Sequence, residues 1–224
     1  MTQIVMFGAG KIAEEVYLYL THDSPFEVVA FTVDREHLVQ AEKRGLPVVP
    51  FDEVQERYPP DRFDMFVATG YQDLNKLRAS KYNEAKAKGY KLVSYISSRA
   101  CNLGGVKVGD NCIVLENTVL QPTCKVGSNV FLWCGNHVGH HATLRDHCFI
   151  AGQVIIGGSS VIEPHCFLGV NATIGHEVVI GEESFIGAAA LVTKNAAPRS
   201  VHIVADTPKF RLDSPMFMRL TKMK

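Results

Sequence analysis

From Val108 onward, aliphatic residues occupy every sixth position without a break: Val108, Val114, Leu120, Val126, Leu132, Val138, Leu144, Ile150, Ile156, Ile162, Leu168, Ile174, Ile180, Ile186 and Val192. Two positions before many of these stands a small or β-branched residue, as at Thr118, Cys124, Ala142, Cys148, Ser160, Ala172 and Ser184. Glycine often follows the aliphatic, as at Gly109, Gly127, Gly139, Gly157, Gly169, Gly175, Gly181 and Gly187. Such a period fits neither a helix nor an ordinary strand. It is the pattern of a β-helix, in which each hexapeptide supplies one short strand and one turn. The aliphatic stacks on its equivalent in the next coil, so a continuous core grows coil by coil. Asn111, Asn117, Asn129, Asn171 and Asn195 fall three residues after the aliphatic, a phase suited to left-handed backbone at a turn.

Before residue 97 the rhythm is different. Strands are predicted over Gln3–Phe7, Glu27–Val33, Leu46–Pro50, Phe63–Ala68 and Tyr90–Ile96. Ile12, Val16 and Leu20 recur at helical spacing after the first strand, and a second helix is predicted over Asn75–Lys88, stopped by Gly89. Strands alternating with helices imply a parallel sheet with helices packed on it. Three segments follow: an α/β domain over 1–97, a β-helix domain over 98–205 and a tail over 206–224.

Composition narrows the function. Lys plus Arg and Asp plus Glu both number 23, so the formal net charge is zero and nothing favours nucleic acid or an anionic membrane surface. No basic start precedes a long apolar stretch, and no run approaches the roughly 20 apolar residues of a membrane helix. The expectation is a cytoplasmic protein with no membrane partner. Of the 6 cysteines, Cys112, Cys124, Cys148 and Cys166 share the small inward phase, so they read as core residues rather than disulfides.

The repeat, with its aliphatic-glycine-x-x-small-x pattern, resembles the left-handed β-helix acyltransferases. An α/β domain ahead of it is similar to one subgroup, the bacterial sugar acyltransferases with an N-terminal Rossmann-like domain. That subgroup includes nucleotide-linked amino-sugar N-acetyltransferases and sialic-acid O-acetyltransferase-like proteins. The likeness runs from Phe7-Gly8-Ala9-Gly10 to Ala205-Asp206-Thr207-Pro208-Lys209. It implies a homotrimer that uses acetyl-CoA, with no resident metal, and an active site between adjacent helices. It also implies N-acetylation of a nucleotide-linked amino sugar for surface glycans. Rival readings are sugar O-acetylation, a non-catalytic β-helix binding or assembly module, and a γ-class carbonic-anhydrase-like metalloprotein.

Acyl transfer from a thioester needs a base near the attacking atom, and imidazole suits that role near neutral pH. The densest cluster is Asn136-His137-Val138-Gly139-His140-His141. By the resemblance His140 is the candidate base, with His141 the second choice. The family usually supplies a carboxylate to orient this histidine, but the next residue here is His141, leaving Asp146 or an acid of a neighbouring chain for the role. Gly157-Gly158-Ser159, one coil on, is expected to leave ligand space over His140. His147 and His165 read as hydrogen-bonded left-handed corners. A metal site from His137, His140 and His141 has no completing ligand in the spacing.

For acetyl-CoA the resemblance implies backbone contacts at Gly158, Val170 and Ala188, with Lys194, Arg199 and Lys209 as cations for its phosphates. In the N-terminal domain, Gly8-Ala9-Gly10 between a strand and a helix lets a phosphate or sugar approach backbone amides, with Lys11 following. Glu14 stands where a dinucleotide fingerprint needs a small residue, so NAD is excluded. Asp34 ends the second strand and matches an acid that contacts the nucleotide in relatives. Gly70, Tyr71, Asn75 and Arg78 follow the fourth strand at the same carboxyl edge, completing the expected substrate set.

Overall fold

The structure is a computed structural model, and it describes residues 1–221. The N-terminal unit comprises β1 (Thr2–Phe7), α1 (Lys11–His22), β2 (Phe26–Val33), β3 (Glu42–Lys43), β4 (Leu46–Pro50), α2 (Val54–Arg57), β5 (Asp64–Val67) and α3 (Lys76–Ala87). Its sheet has the order β3-β4-β2-β1-β5. All pairs are parallel except the β3–β4 hairpin. The chain moves outward from β1 in one direction and returns to add β5 on the other side. The carboxyl ends of β1 and β5 therefore flank a topological switch point, where open α/β sheets bind ligands. Ile4, Met6 and Phe31 face one side of the sheet and Val5, Ala30 and Met65 the other, all fully buried. This two-sided burial is the ordinary state of a parallel sheet.

The predicted fifth strand is divided between two structures. Leu92 makes only an isolated bridge to Met65, whereas β6 (Tyr95–Ile96) pairs with Ile113–Val114 and starts a sheet of the β-helix. From there two-residue strands stack in three parallel sheets, pairing with the strand 18 positions further on, as Phe131 does with Phe149, until the last coil, where Phe185 pairs with Val201. The predicted aliphatics from Val114 to Val192 are buried in one continuous core, with Val108 half-buried against it. Cys112, Cys124, Cys148 and Cys166 are buried in the same core.

Each coil turns three corners, which we name by their residues in the middle of the helix: the 134/135, 140/141 and 146/147 corners. Left-handed backbone marks each corner, at Asn111, Asn117, Asn129 and Asn171 as the asparagine phase requires, and also at His141 (φ 58°), His147 (φ 63°) and His165 (φ 61°). Asn195 departs from this set; its side chain accepts a hydrogen bond from Val179 N–H (2.9 Å).

The sheet between the 146/147 and 134/135 corners carries the N-terminal unit. Phe131, Phe149, Phe167 and Phe185 project from its outer surface as a ladder, with ring centroids 6.0, 5.8 and 4.8 Å apart. Phe66 of β5 stacks on Phe131 at 6.0 Å. In the tail, α4 (Ser214–Thr221) buries none of its residues. Among the described residues no helix is long and apolar enough to cross a membrane.

Candidate active site and ligand cleft

His140 lies on the 140/141 corner, the corner that does not border the face covered by the N-terminal unit. The corner is held by the preceding coil: His140 N–H donates to Gln121 Oε1 (2.8 Å) and His141 N–H to Thr123 Oγ1 (3.1 Å). Both imidazoles are exposed, and their Nδ1 atoms face each other at 3.0 Å. Asp146 is elsewhere: it sits on the 146/147 corner and accepts from Ser128 N–H (2.8 Å). It therefore does not orient His140.

One coil on, Gly158 lies directly beneath the His140 ring. A Cβ there would come within 2.8 Å of His140 Cε1 and Nε2. The space expected for a ligand over His140 is thus filled by the His140 ring itself, and glycine at 158 lets the imidazole occupy the side-chain position. Gly158 N–H has no hydrogen-bond partner among the described residues. Gly139 keeps it open, because a Cβ at 139 would sit 2.6 Å from that nitrogen. One coil further, the His176 ring lies 6.1 Å from His140, and His176 Nε2 meets Glu177 Oε1 at 3.3 Å. Sequence reasoning missed His176, although its spacing from His140 is twice the coil length.

The remaining cofactor candidates divide. Lys194 is exposed on the corner of His140 and Gly158, while Val170 and Ala188 are exposed on the 134/135 corner. These two corners bound the same face of the β-helix, which carries exposed Ile155 and Leu191. Arg199 is on the third corner, paired with Glu183 at 3.0 Å, and Lys209 lies in the exposed tail.

In the N-terminal unit a cleft of about 630 Å³ opens at the switch point, and Gly8, Gly10, Lys11, Asp34 and Gly70 all line it. Gly8 has φ 111°, and a Cβ there would meet Ala68 O at 2.8 Å, so the turn needs glycine. Lys43 Nζ donates to Ala9 O (2.8 Å) and steadies the turn. The α1 N-terminus at Gly10 has no side-chain cap, so its first amides are free for an anion. Asp34 Oδ1 is held by Lys81 Nζ at 2.8 Å. Thr69 and Gln72, not anticipated, also line the cleft, and Thr69 Oγ1 is buried with no partner among the described residues.

Three expected substrate residues are not in this cleft. Tyr71 packs on Phe149 and Phe167, with centroids 5.0 and 4.7 Å away. Asn75 is fully buried and donates to the carbonyls of His165 (3.3 Å) and Cys166 (3.2 Å). Arg78, also fully buried, donates to Gly70 O, Asn129 O, His147 O, Cys148 O and Asn129 Oδ1, with its guanidinium 4.3 Å above the Phe131 ring. Asn75 and Arg78 clamp the start of α3 to the β-helix and are buried away from the cleft, whereas Tyr71 stays half exposed on the phenylalanine ladder. Burial lowers the Arg78 pKa to about 9, which leaves it charged at neutral pH. Beside it, His147 accepts at Nδ1 from Asn129 Nδ2 (2.9 Å) and stacks with His165 at 4.9 Å. Burial first, then His165, pulls its pKa down to about 4.

Residues 159–194 match the model of the bacterial transferase hexapeptide (six repeats), and residues 97–122 match the hexapeptide repeat of succinyl-transferase. Both matches fall on the β-helix and its entry, not on the N-terminal sheet. No curated protein matches the chain by sequence. Among solved structures, a histidine variant of perosamine N-acetyltransferase from Caulobacter crescentus, in complex with CoA and GDP-perosamine, superposes with a TM-score of 0.79 at 22% identity, covering 90% of this chain and 93% of that one. The acetyltransferase domain of PglB from Neisseria gonorrhoeae FA1090 gives 0.74 at 21%, covering 88% and 93%. WeeI from Acinetobacter baumannii AYE gives 0.75 at 21%, covering 89% and 96%. The likeness establishes a common fold across both units of the chain. Among the described residues no group of three or more His, Cys, Asp or Glu side chains is placed to hold a metal ion.

Proposed function

We propose that the protein is an acetyl-CoA-dependent N-acetyltransferase acting on a nucleotide-linked amino sugar in the cytoplasm, for surface-glycan synthesis. The fold is then a left-handed β-helix behind a Rossmann-like domain of residues 1–97. The observation that carries the reading is the pairing of an exposed imidazole, His140, with the unpartnered Gly158 N–H beneath it. In this mechanism His140 Nε2 takes the proton of the attacking amine while the nitrogen lone pair adds to the thioester carbonyl. Gly158 N–H donates a hydrogen bond to the developing oxyanion. The proton then passes to the departing CoA thiolate.

The neighbours support this choice of reactants, since a structure of perosamine N-acetyltransferase contains CoA and GDP-perosamine and one of the PglB domain contains acetyl coenzyme A. In the cleft, the free α1 amides suit the diphosphate, and Thr69 Oγ1 and Asp34 suit hydroxyl or base groups. His140 stands on the corner away from that cleft's own unit. We therefore propose a homotrimer in which the His140 corner of one copy meets the neighbouring copy, with Gly158, Lys194, Val170 and Ala188 along the acetyl-CoA groove and Lys209 at its phosphates. The test is acetyl-CoA with UDP-, GDP- and dTDP-amino sugars, reading free thiol release. Transfer to one of them, abolished in His140→Ala, is the expected result, and thiol release undiminished in that variant overturns the site.

A further inference from the structure

The His140 corner differs from a histidine–carboxylate arrangement, and the difference has a chemical consequence. The groups facing His140 are His141, Gln121 and Thr123 of the preceding coil, Gly158 and Ser159 of the next, and His176 with Glu177 beyond. Glu177 is engaged with His176, and no carboxylate contacts His140 among the described residues. Among the described residues the only polar atom hydrogen-bonded to His140 Nδ1 is Nδ1 of His141, at 3.0 Å, with the two rings at 84° to each other.

Two neutral imidazoles meeting through Nδ1 share one hydrogen, because each nitrogen either donates or accepts. If His141 donates, His140 carries its proton on Nε2 and has no lone pair there for a substrate. If His140 donates, its Nε2 is bare and faces away from His141. After Nε2 takes a proton, His140 is a donor at both nitrogens, and its Nδ1–H bond survives only if His141 Nδ1 still accepts.

We infer that His141 is the positioning residue of the site, a neutral imidazole that accepts from His140 Nδ1–H in place of a carboxylate and so keeps His140 Nε2 free as the base. This rests on the proposed acyl transfer and extends it. A neutral acceptor, unlike a carboxylate, is lost on protonation.

The test uses the full-length protein and three variants: His141→Leu, which removes the acceptor, His141→Asn, whose amide oxygen accepts without titrating, and His140→Ala. Nitrogen-15 imidazole spectra of the wild type are expected to show His140 protonated at Nδ1, and His141→Leu shifts it toward the Nε2–H form. In acetyl transfer, His141→Leu loses at least ~10-fold in kcat, a fraction of the ~10²–10⁴ supplied by a general base, with KM for acetyl-CoA within about twofold. His141→Asn recovers most of that loss. An Nε2–H tautomer for His140 in the wild type overturns the inference, as does a His141→Leu enzyme with unchanged kcat. Absence of transfer by the wild type with every amino sugar overturns the acyltransferase reading instead, and the tautomer measurement still decides the role of His141.

Discussion

Replacing Gly158 by alanine separates the chemistry of the corner from its stability. The new methyl carbon would stand 2.8 Å from Cε1 and Nε2 of His140 and 3.2 Å from Nδ1. Carbon atoms in ordinary contact are about 3.5–4.0 Å apart, so the ring must retreat by roughly 1 Å. It belongs to an exposed side chain and can swing, and Gly158 is not among the positive-φ glycines, so the backbone tolerates a Cβ. The cost in folding is therefore small, about 0.5 kcal/mol. The cost in rate is not, because a displacement of about 1 Å at a reacting group is worth roughly 10²-fold, or ~2.7 kcal/mol in the barrier. Thiol release under saturating substrates measures kcat, and calorimetry on the same preparation measures Tm. The expected outcome is a kcat lower by about two orders of magnitude with Tm within ~2 °C of wild type. A kcat within twofold of wild type would refute catalysis by His140 from its position over Gly158.

Further outcomes concern the clamp and the cleft. Arg78→Met leaves the carbonyls of Gly70, Asn129 and His147 without a donor and takes one of two from Cys148 O, which still accepts from Phe131 N–H. Relief of the buried charge offsets part of this, and the net loss is about 3–5 kcal/mol, read as a lower urea midpoint that an unaffected protein would not show. His147 remains neutral in the fold down to about pH 4, whereas an unfolded imidazole titrates near ~6.5. Stability is thus complete above pH ~6.5 and falls as pH drops toward 4, by about 1–2 kcal/mol after allowing for partial exposure. His147→Asn removes that component, so an identical pH dependence of wild type and variant counts against it. Gly8→Ala forces a side chain onto φ 111° and against Ala68 O. Titration calorimetry should show nucleotide-sugar affinity reduced at least ~10-fold, from strain of about 1–3 kcal/mol in the turn, and intact affinity removes the glycine turn from the binding site.

The β-helix was legible because each position of the hexapeptide has a single environment. The inward aliphatic repeats without interruption, a small or β-branched residue two positions earlier and a left-handed corner accompany most repeats, and the burial of Val114 through Val192 follows that register. The glycine turn and Asp34 were legible for a similar local reason, since a strand end and a helix start in βα order place them at one sheet edge. The assignment of Asn75 and Arg78 to substrate followed the same edge argument and was corrected by packing. Polar residues after a parallel strand face either a ligand or a neighbouring domain, and local sequence does not distinguish these. A signal did exist: Phe131, Phe149, Phe167 and Phe185 recur at the coil length on an outward phase, which marks a covered face.

The corner chemistry divides in the same way. Sequence alone determined that His140 and Gly158 share a phase one coil apart, because the period converts sequence distance into spatial stacking. Only the tertiary structure decided that the imidazole lies over that glycine, that Asp146 belongs to another corner and that His141 Nδ1 is the atom His140 meets. The coil length is set by repeating backbone hydrogen bonds and is written into the chain. The direction of an exposed ring, and the covering of one face by a separate unit, depend on contacts between coils and domains that no single repeat contains.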